Sequence, residues 1–193
     1  MTDIKRYEIN YEMFHAVSTA MSKDEALYYL MGVYVHDVGN TRRYVATDGH
    51  ILLICVDENP MGEKLPEKGI IIGGKFPKYK SNIAYNMIRI LDDKTVVFGD
   101  DNSSFAGYVV DGEYPDYSRV LPQETNKAKC YVVVNPMYLK KITDFVGVGK
   151  IPFVNDEHSP AVFTNDNRIG VIMPMRGDDC SPSFYKSFIK QAK

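Results

Sequence analysis

Strand signals dominate the hydrophobic pattern of the chain and predict a protein built mainly from β-strands. Residues 27–36, for example, are rich in Tyr, Val and Leu, as a half-buried strand should be. A hairpin turn is expected after residues 27–36, where Gly39 and Asn40 supply the backbone freedom that such a turn needs. Asp48 and Gly49 predict an irregularity inside the next stretch. The predicted strands cover residues 27–36, 43–56, 69–73, 86–91, 95–98, 104–110, 129–134, 161–164 and 168–173.

Two segments have the apolar spacing of a helix. Residues 11–21 follow Asn10, which is a good N-cap, and residues 136–146 follow Asn135, with Pro136 at the first helical position. Residues 75–81 have room for only about one helical turn, because Pro77 stands among them. The pattern therefore predicts two helices and one shrunken third helix among many strands.

Taken in order, these elements repeat as a unit of strand, helix and several antiparallel strands. The unit occurs about three times, over residues 5–60, 68–121 and 128–176, although the copies share little sequence identity. Residues 60–68 and 122–127 are polar, contain proline and fit linkers. We therefore expect an α+β fold in which antiparallel sheets carry a few helices on one face.

The composition is that of an ordered globular protein. Of the 193 residues, 45% are hydrophobic and 25% are charged, which excludes a disordered, collagen-like or long coiled-coil protein. No apolar run reaches the roughly 20 residues of a transmembrane helix, and the N-terminus lacks the apolar core of a signal peptide. The three cysteines lie far apart, as in a reducing compartment. We expect a cytoplasmic protein without membrane contact.

The formal net charge of −2 provides no global field for nonspecific binding of nucleic acid. The charge is unevenly divided, however. Residues 1–122 carry 13 basic and 18 acidic side chains, whereas residues 123–193 carry 10 and 7. Any DNA contact would therefore depend on local basic patches.

Residues that often perform chemistry are poorly arranged for it here. The acidic pairs at 92–93, 100–101 and 178–179 fall in predicted turns or near the C-terminus, and adjacent residues of a strand point to opposite faces. The four histidines lack metal-ligand spacing, and the sequence contains no nucleophile elbow, P-loop or dinucleotide fingerprint. We expect a protein that is not an enzyme and binds no metal and no cofactor.

Four motifs occur along the chain: YYLMGV at 28–33, VATDGHILL at 45–53, DGEYPDYSRVLP at 111–122 and VIMPMR at 171–176. Together they resemble the bacterial DNA polymerase III beta-subunit sliding clamp family. Each motif alone is a weak signal, but all four occur in the family's order, with Leu30 and Thr47 at the family's spacing.

The resemblance covers about residues 1–177 and implies a trimmed clamp. Residues 1–122 resemble the family's middle domain, residues 123–177 resemble the second half of its last domain, and residues 178–193 form a C-terminal tail without a counterpart. The family's first domain and the first half of its last domain have no match here. We therefore expect about three strand–helix–strand units of the clamp fold.

In this family, a hydrophobic cleft between the middle and last domains receives short peptides from polymerases, the clamp loader and repair proteins. The motif matches imply that the cleft here is built from Leu30, Thr47, Gly49, His50, Leu52, Pro115, Arg119, Val120, Val171 and Met173. Ile51 stands where the family usually has Arg, and Ser118 where a second basic residue is common. Both departures imply an altered peptide preference or weaker polar anchoring.

The residues themselves leave other roles open for these positions. Leu and Val in strands usually form core, and His50 fits the shaping of its turn as well as contact with a ligand. Asp48 fits capping of backbone amides in the same turn. Asp116 and Tyr117 fit the formation of a corner of the chain.

The family also places basic residues of inward-facing helices near DNA phosphates, without reading bases. The candidates here are Lys75, Lys78, Lys80, Lys140 and Lys141. A solvated charged face is the simpler interpretation of any single one of these lysines.

The resemblance implies a sliding-clamp-like, non-catalytic processivity factor. Its expected partners are a DNA polymerase, other clamp-binding proteins and double-stranded DNA, which it would encircle as a homo-oligomer. Four chains of three units would match the twelve units of family rings, although an odd number of units per chain breaks simple head-to-tail repetition. The alternative is a monomeric clamp mimic, an interaction module that captures or diverts clamp-binding proteins without encircling DNA.

Overall fold

The computed structural model describes residues 5–79, 86–91, 94–99, 104–121, 134–147 and 159–175. Within these ranges there are two α-helices, α1 (Tyr11–Ser18) and α2 (Pro136–Val146), and two 3₁₀ helices, at Glu25–Leu30 and Tyr117–Val120. The strands are β1 (Lys5–Glu8), β2 (Gly32–Val38), β3 (Thr41–Thr47), β4 (Ile51–Asp57), β5 (Ile70–Gly73), β6 (Met87–Ile90), β7 (Thr95–Gly99), β8 (Ser104–Val109), β9 (Ala161–Asn165) and β10 (Arg168–Ile172).

All ten strands form one antiparallel sheet in the order β1-β6-β7-β8-β5-β2-β3-β4-β10-β9. The sheet continues across the predicted boundary at residues 122–123, because β4 pairs with β10 and places Leu52 opposite Val171. The expected α+β fold with antiparallel strands and few helices is confirmed. The division into a whole and a half domain stays a prediction.

The sheet has two different faces because successive residues of a strand point in opposite directions. On β4, Ile51, Leu53 and Cys55 pack in the cluster that includes the buried residues of α1 and α2. Leu52 and Ile54 pack in a second cluster with residues of the two 3₁₀ helices. The α-helices therefore cover one face, and the 3₁₀ helices lie on the other.

Helix α1 begins where the sequence predicts. The side-chain oxygen of Asn10 accepts a hydrogen bond from the backbone N–H of Met13 over 3.1 Å. The helix ends at Ser18, short of the predicted end at residue 21, and the Ser18 hydroxyl donates to the carbonyl of His15. Such side-chain bonds compete with the helical pattern.

Helix α2 has the predicted bounds. Asn135 accepts from the backbone N–H of Met137 over 2.9 Å, Pro136 takes the first helical position, and Gly147 follows the last residue with a φ of 80°. Ile142 lies close against Gly170 of β10, where a Cβ atom would come within 2.9 Å of the Ile142 methyl group. The absence of a side chain at residue 170 thus lets α2 approach the sheet.

The predicted strand over residues 27–36 is wrong at its beginning. Residues Glu25–Leu30 form a 3₁₀ helix, and β2 begins only at Gly32. Asp24 caps this helix by accepting from the backbone N–H of Ala26 over 2.9 Å. The cap overrides the strand preference of the aromatic residues that follow.

The predicted strand over residues 43–56 is two strands joined by a reversal of the chain. Strand β3 ends at Thr47 and β4 begins at Ile51. One carboxylate oxygen of Asp48 accepts from the backbone N–H groups of His50 and Ile51, both over 3.0 Å. The predicted irregularity is therefore a tight turn, and the capping role expected for Asp48 is confirmed.

The shrunken third helix is absent from residues 75–79, the described part of the predicted segment 75–81. The ring of Phe76 instead packs edge-on against Phe14 of α1, with centroids 4.8 Å apart. The Tyr11 hydroxyl donates to the Pro77 carbonyl over 2.6 Å. Packing against α1 thus fixes this segment where local sequence offered only a weak preference.

The remaining predicted strands with described residues match β5–β10 to within one residue at each end. The predicted strand 129–134, apart from Val134, lies outside the described residues. The linker 122–127 and the tail 178–193 also lie outside them.

Candidate functional site

A small, mostly apolar cavity of about 190 Å³ lies on the sheet face opposite α1 and α2. We call it the cleft. It is lined by Leu30, Thr47, Gly49, His50, Ile51, Leu52, Pro115, Asp116, Tyr117, Val120, Val171 and Met173.

The floor of the cleft is a row of side chains across three neighbouring strands. Thr47 of β3 is opposite Leu52 of β4, and Leu52 is opposite Val171 of β10. Residues directly opposite in antiparallel strands point to the same face, so the three side chains lie next to one another. Leu30, from the first 3₁₀ helix, packs in the same cluster. The floor of the cleft is therefore largely apolar.

The turn between β3 and β4 forms one end of the cleft, and local hydrogen bonds hold its shape. The Thr47 hydroxyl accepts from the backbone N–H of Gly49 over 3.0 Å and donates to the carbonyl of Ile51 over 2.7 Å. Gly49 has a φ of 88°, which favours glycine. The turn is therefore a rigid boundary of the cavity.

His50 connects this turn to α2. Its imidazole ring stacks on the ring of Tyr138, with centroids 5.5 Å apart and an angle of 22° between the planes. Its carbonyl oxygen accepts from the backbone N–H of Met173 over 2.9 Å. His50 thus has a structural role in addition to lining the cleft.

The second 3₁₀ helix closes the opposite side of the cleft. Asp116 caps this helix by accepting from the backbone N–H of Ser118 over 3.1 Å. The Tyr117 hydroxyl lies 2.9 Å from Nε2 of His36 and 3.2 Å from a guanidinium nitrogen of Arg43. Burial and the positive charge of Arg43 lower the pKa of His36 to about 4, so this ring is neutral near pH 7.

A sequence profile of the DNA polymerase III beta subunit, central domain, matches residues 8–116. The chain belongs to this family. The beta sliding clamp of Escherichia coli strain K12 is 32% identical over 126 residues, an alignment that covers 60% of this chain and 32% of that relative. The beta sliding clamp of Vibrio cholerae is 32% identical over 119 residues, covering 56% and 30%. This chain thus matches about a third of the length of these curated relatives.

A crystal structure of the DNA polymerase III beta subunit from Pseudomonas aeruginosa has a TM-score of 0.70 to this chain at 20% sequence identity. The superposition covers 90% of this chain and 67% of that one. The likeness in fold therefore extends beyond the residues that match the central-domain profile.

Nine of the ten residues selected from the beta-subunit motifs line the cavity. Arg119 does not line it. Its side chain is 82% exposed, and its guanidinium pairs with the Asp116 carboxylate over 3.2 Å. That the cavity receives a peptide stays a prediction.

Three lining residues were not selected from the beta-subunit motifs: Ile51, Asp116 and Tyr117. Asp116 has the cap role expected of a corner residue. Tyr117 was also assigned to the corner, yet it is part of the wall. The signal in the sequence that could have indicated a wall position for Tyr117 is its phenol group, which combines an apolar ring with a polar atom that needs a partner.

Four of the five lysines expected to face DNA are described, and none of the four lines the cleft. Lys140 and Lys141 are exposed on α2; Lys140 pairs with Asp144 over 2.8 Å, and the Lys141 ammonium lies 5.6 Å from the Tyr138 ring centroid. Lys75 and Lys78 are exposed after β5, and Lys80 lies outside the described residues. These contacts do not define a continuous basic groove among the described residues. Contact of these lysines with DNA stays a prediction.

Neither a metal-binding cluster nor a membrane-spanning helix is found in the described ranges. No group of three or more His, Cys, Asp or Glu residues is placed to hold a metal ion among these residues. Within the same ranges, no helix is long and apolar enough to span a membrane.

Proposed function

We propose that this chain is a non-catalytic, sliding-clamp-like processivity factor for a DNA polymerase and that its cleft binds short peptides of replication proteins. One observation carries the proposal. Nine residues selected from four separate beta-subunit motifs line a single cavity. They come from positions between 30 and 173 of the chain, so only folding brings them together.

The chemistry of the cavity suits an apolar peptide side chain. Leu30, Leu52 and Val171 are buried at 5%, 4% and 1% exposure and form a hydrophobic floor. Met173 remains 37% exposed at the rim, where its flexible side chain can adapt to different partners. Backbone and side-chain polar groups of the β3–β4 turn lie beside this floor and can orient a peptide.

The experiment is a titration of a fluorescein-labelled clamp-binding peptide from a bacterial replicative polymerase, followed by anisotropy. Met173→Lys should weaken binding at least about tenfold, since it places an ammonium group at an apolar wall. Met137→Lys is the matched control, because Met137 is 71% exposed on α2, away from the cleft. Failure of the wild-type protein to bind, or equal binding by Met173→Lys, would overturn the proposal.

The second part of the proposal is that several copies of the chain assemble and encircle DNA. The positions of Lys78, Lys140 and Lys141 support a DNA-facing helix surface. Lys140 and Lys141 are exposed on α2, while burial and the charge of Lys78 lower the pKa of His15 on α1, which places Lys78 near that helix. A surface on the helix side would leave the cleft, on the opposite face, accessible to partners.

Light scattering over a concentration series tests the assembly. A discrete oligomer, a tetramer above all, would support a ring and justify measuring retention on circular DNA. A monomer at every concentration would overturn self-assembled encirclement. Peptide binding by such a monomer would favour the clamp mimic that captures or diverts clamp-binding proteins.

A further inference from the structure

The phenol group of Tyr117 is held by two side chains from the sheet beneath it. His36 of β2 and Arg43 of β3 are directly opposite each other in the antiparallel register. Nε2 of His36 lies 2.9 Å from the Tyr117 hydroxyl, and an N–H of Arg43 donates to the same oxygen over 3.2 Å. The hydroxyl is therefore fixed to a cross-strand pair outside the lining of the cleft.

The chemistry of the two partners decides the direction of the hydrogen bonds to the Tyr117 hydroxyl. A guanidinium group only donates, so the phenol oxygen accepts from Arg43. The low pKa of His36, about 4, leaves the imidazole neutral at pH 7, and its Nε2 is then able to accept the phenol proton. This arrangement satisfies the hydroxyl as both donor and acceptor.

His36 is itself fixed by stacked aromatic rings. Its imidazole lies parallel to the ring of Tyr34, with centroids 4.5 Å apart and an angle of 12°. Tyr34 stacks in the same way on Tyr114, with centroids 4.8 Å apart. Stacked rings in a packed cluster restrict rotation about their side-chain bonds, so His36 offers Nε2 at a defined place.

We propose that His36 and Arg43 are positioning residues for the cleft: they hold the Tyr117 ring as a preformed wall and thereby raise the affinity for peptide. The inference rests on the proposed peptide-binding function. A wall that is already ordered loses less conformational freedom when a ligand binds. Without the two hydrogen bonds, the ring would have to be ordered by the ligand itself.

The first experiment needs no ligand. Proton NMR of the full chain with methyl-labelled Leu and Val measures the contacts of the Tyr117 ring with methyl groups of the cleft. Tyr117→Phe and His36→Leu should change these contacts, and His36→Gln should largely retain them because its side-chain amide can still accept a hydrogen bond. Unchanged ring contacts in His36→Leu would overturn the positioning role.

The second experiment repeats the peptide titration with the same variants. Tyr117→Phe and His36→Leu should bind about 3- to 10-fold more weakly, the range expected for loss of one net hydrogen bond, with His36→Gln closer to wild type. Tyr28→Phe is the matched control, because Tyr28 is 53% exposed and lies outside the lining of the cleft. Unchanged affinity in His36→Leu would overturn the inference.

The two experiments separate the possible failures. Absence of peptide binding by the wild-type protein would overturn the proposed function, whereas the methyl contacts still decide whether the hydrogen bonds to its hydroxyl position the Tyr117 ring. Thermal unfolding of every variant distinguishes positioning from a general loss of structure. If His36→Gln and His36→Leu weaken binding only in proportion to their loss of stability, the positioning role is wrong.

Discussion

The backbone N–H of Met173 donates to the carbonyl oxygen of His50 over 2.9 Å. The preceding residue, Ile172, is already opposite Ile51 in the β4–β10 register, so this bond extends the contact to the turn between β3 and β4. Met173 and His50 both line the cleft. The shape of the cleft therefore depends on the docking of β10, and with it α2, against β4.

Gly170→Val should disturb this docking. A Cβ atom at residue 170 would lie 2.9 Å from one Ile142 methyl group and 3.3 Å from a Val146 methyl group, so α2 would have to shift. Overpacking of this kind costs about 1–3 kcal/mol of the free energy of unfolding. Chemical denaturation checks the loss, with Thr164→Val on the exposed edge of β9 as the control. Equal stabilities of the two variants would contradict the packing argument.

Arg42→Met should cost more, because it leaves the Asp37 carboxylate, whose side chain is only 13% exposed, without its ion-pair partner. Arg42 is 2% exposed and pairs with Asp37 over 2.8 Å; it also donates to the carbonyl groups of Glu8 and Glu63. Removing one member of a buried ion pair costs about 3–5 kcal/mol. The free energy of unfolding should fall by this amount in urea titrations.

A matched control for the Arg42 change is Arg6→Met, since Arg6 is exposed on β1. A surface substitution of this kind should alter stability by no more than about 0.5 kcal/mol. The double variant Arg42→Met, Asp37→Leu should recover part of the loss because it leaves no unpaired carboxylate. If Arg42→Met and Arg6→Met lowered the free energy of unfolding by similar amounts, the Arg42–Asp37 ion pair would contribute little to stability.

His36 should make stability depend on pH between about 4 and 6.5. Burial and Arg43 lower its pKa, while Asp37 opposes them, and the folded-state value is about 4. In this pH window the unfolded chain binds a proton that the folded chain does not, so stability rises with pH. The contribution, after allowance for solvent screening of this half-buried ring, is about 1–3 kcal/mol.

Urea unfolding of wild type and His36→Gln at several pH values measures this contribution. The variant should lose less stability than the wild type between pH 6.5 and 4, whatever its stability at neutral pH. The pKa of Asp37 is lowered despite its burial, by hydrogen bonds from Arg42 and the Leu65 N–H, so Asp37 titrates mainly below this window. Parallel pH profiles of the two proteins would show that His36 titrates normally.

Cys55 should be unreactive in the folded protein. Its side chain is fully buried on β4, and burial raises the pKa of the thiol to about 12. The thiolate is the reactive form, so alkylation is suppressed. Iodoacetamide at pH 8, followed by peptide mass mapping, should label Cys55 in urea but not under native conditions. Rapid native labelling of Cys55 would mean that β4 opens easily.

Local sequence determined much of the fold because many of its decisive interactions span only a few residues. Asn10 and Asn135 each cap a helix through a backbone N–H two or three positions away. Alternation along β4 assigns Leu52 and Leu53 to different faces. The four motifs likewise selected nine residues of the cleft, although their assembly as a peptide site stays a prediction.

Tertiary structure decided the features that depend on distant residues. Phe76 packs on Phe14, 62 positions earlier in the chain, instead of forming the predicted helical turn. The Tyr117 hydroxyl contacts Nε2 of His36, 81 residues earlier in the chain. Periodicity and caps report only on near neighbours, whereas such contacts depend on strand register and on how elements pack across a sheet. The sequence by itself thus determined most of the strands, the starts of α1 and α2 and most of the cleft residues. Only the folded sheet decided how the elements pack around the cleft.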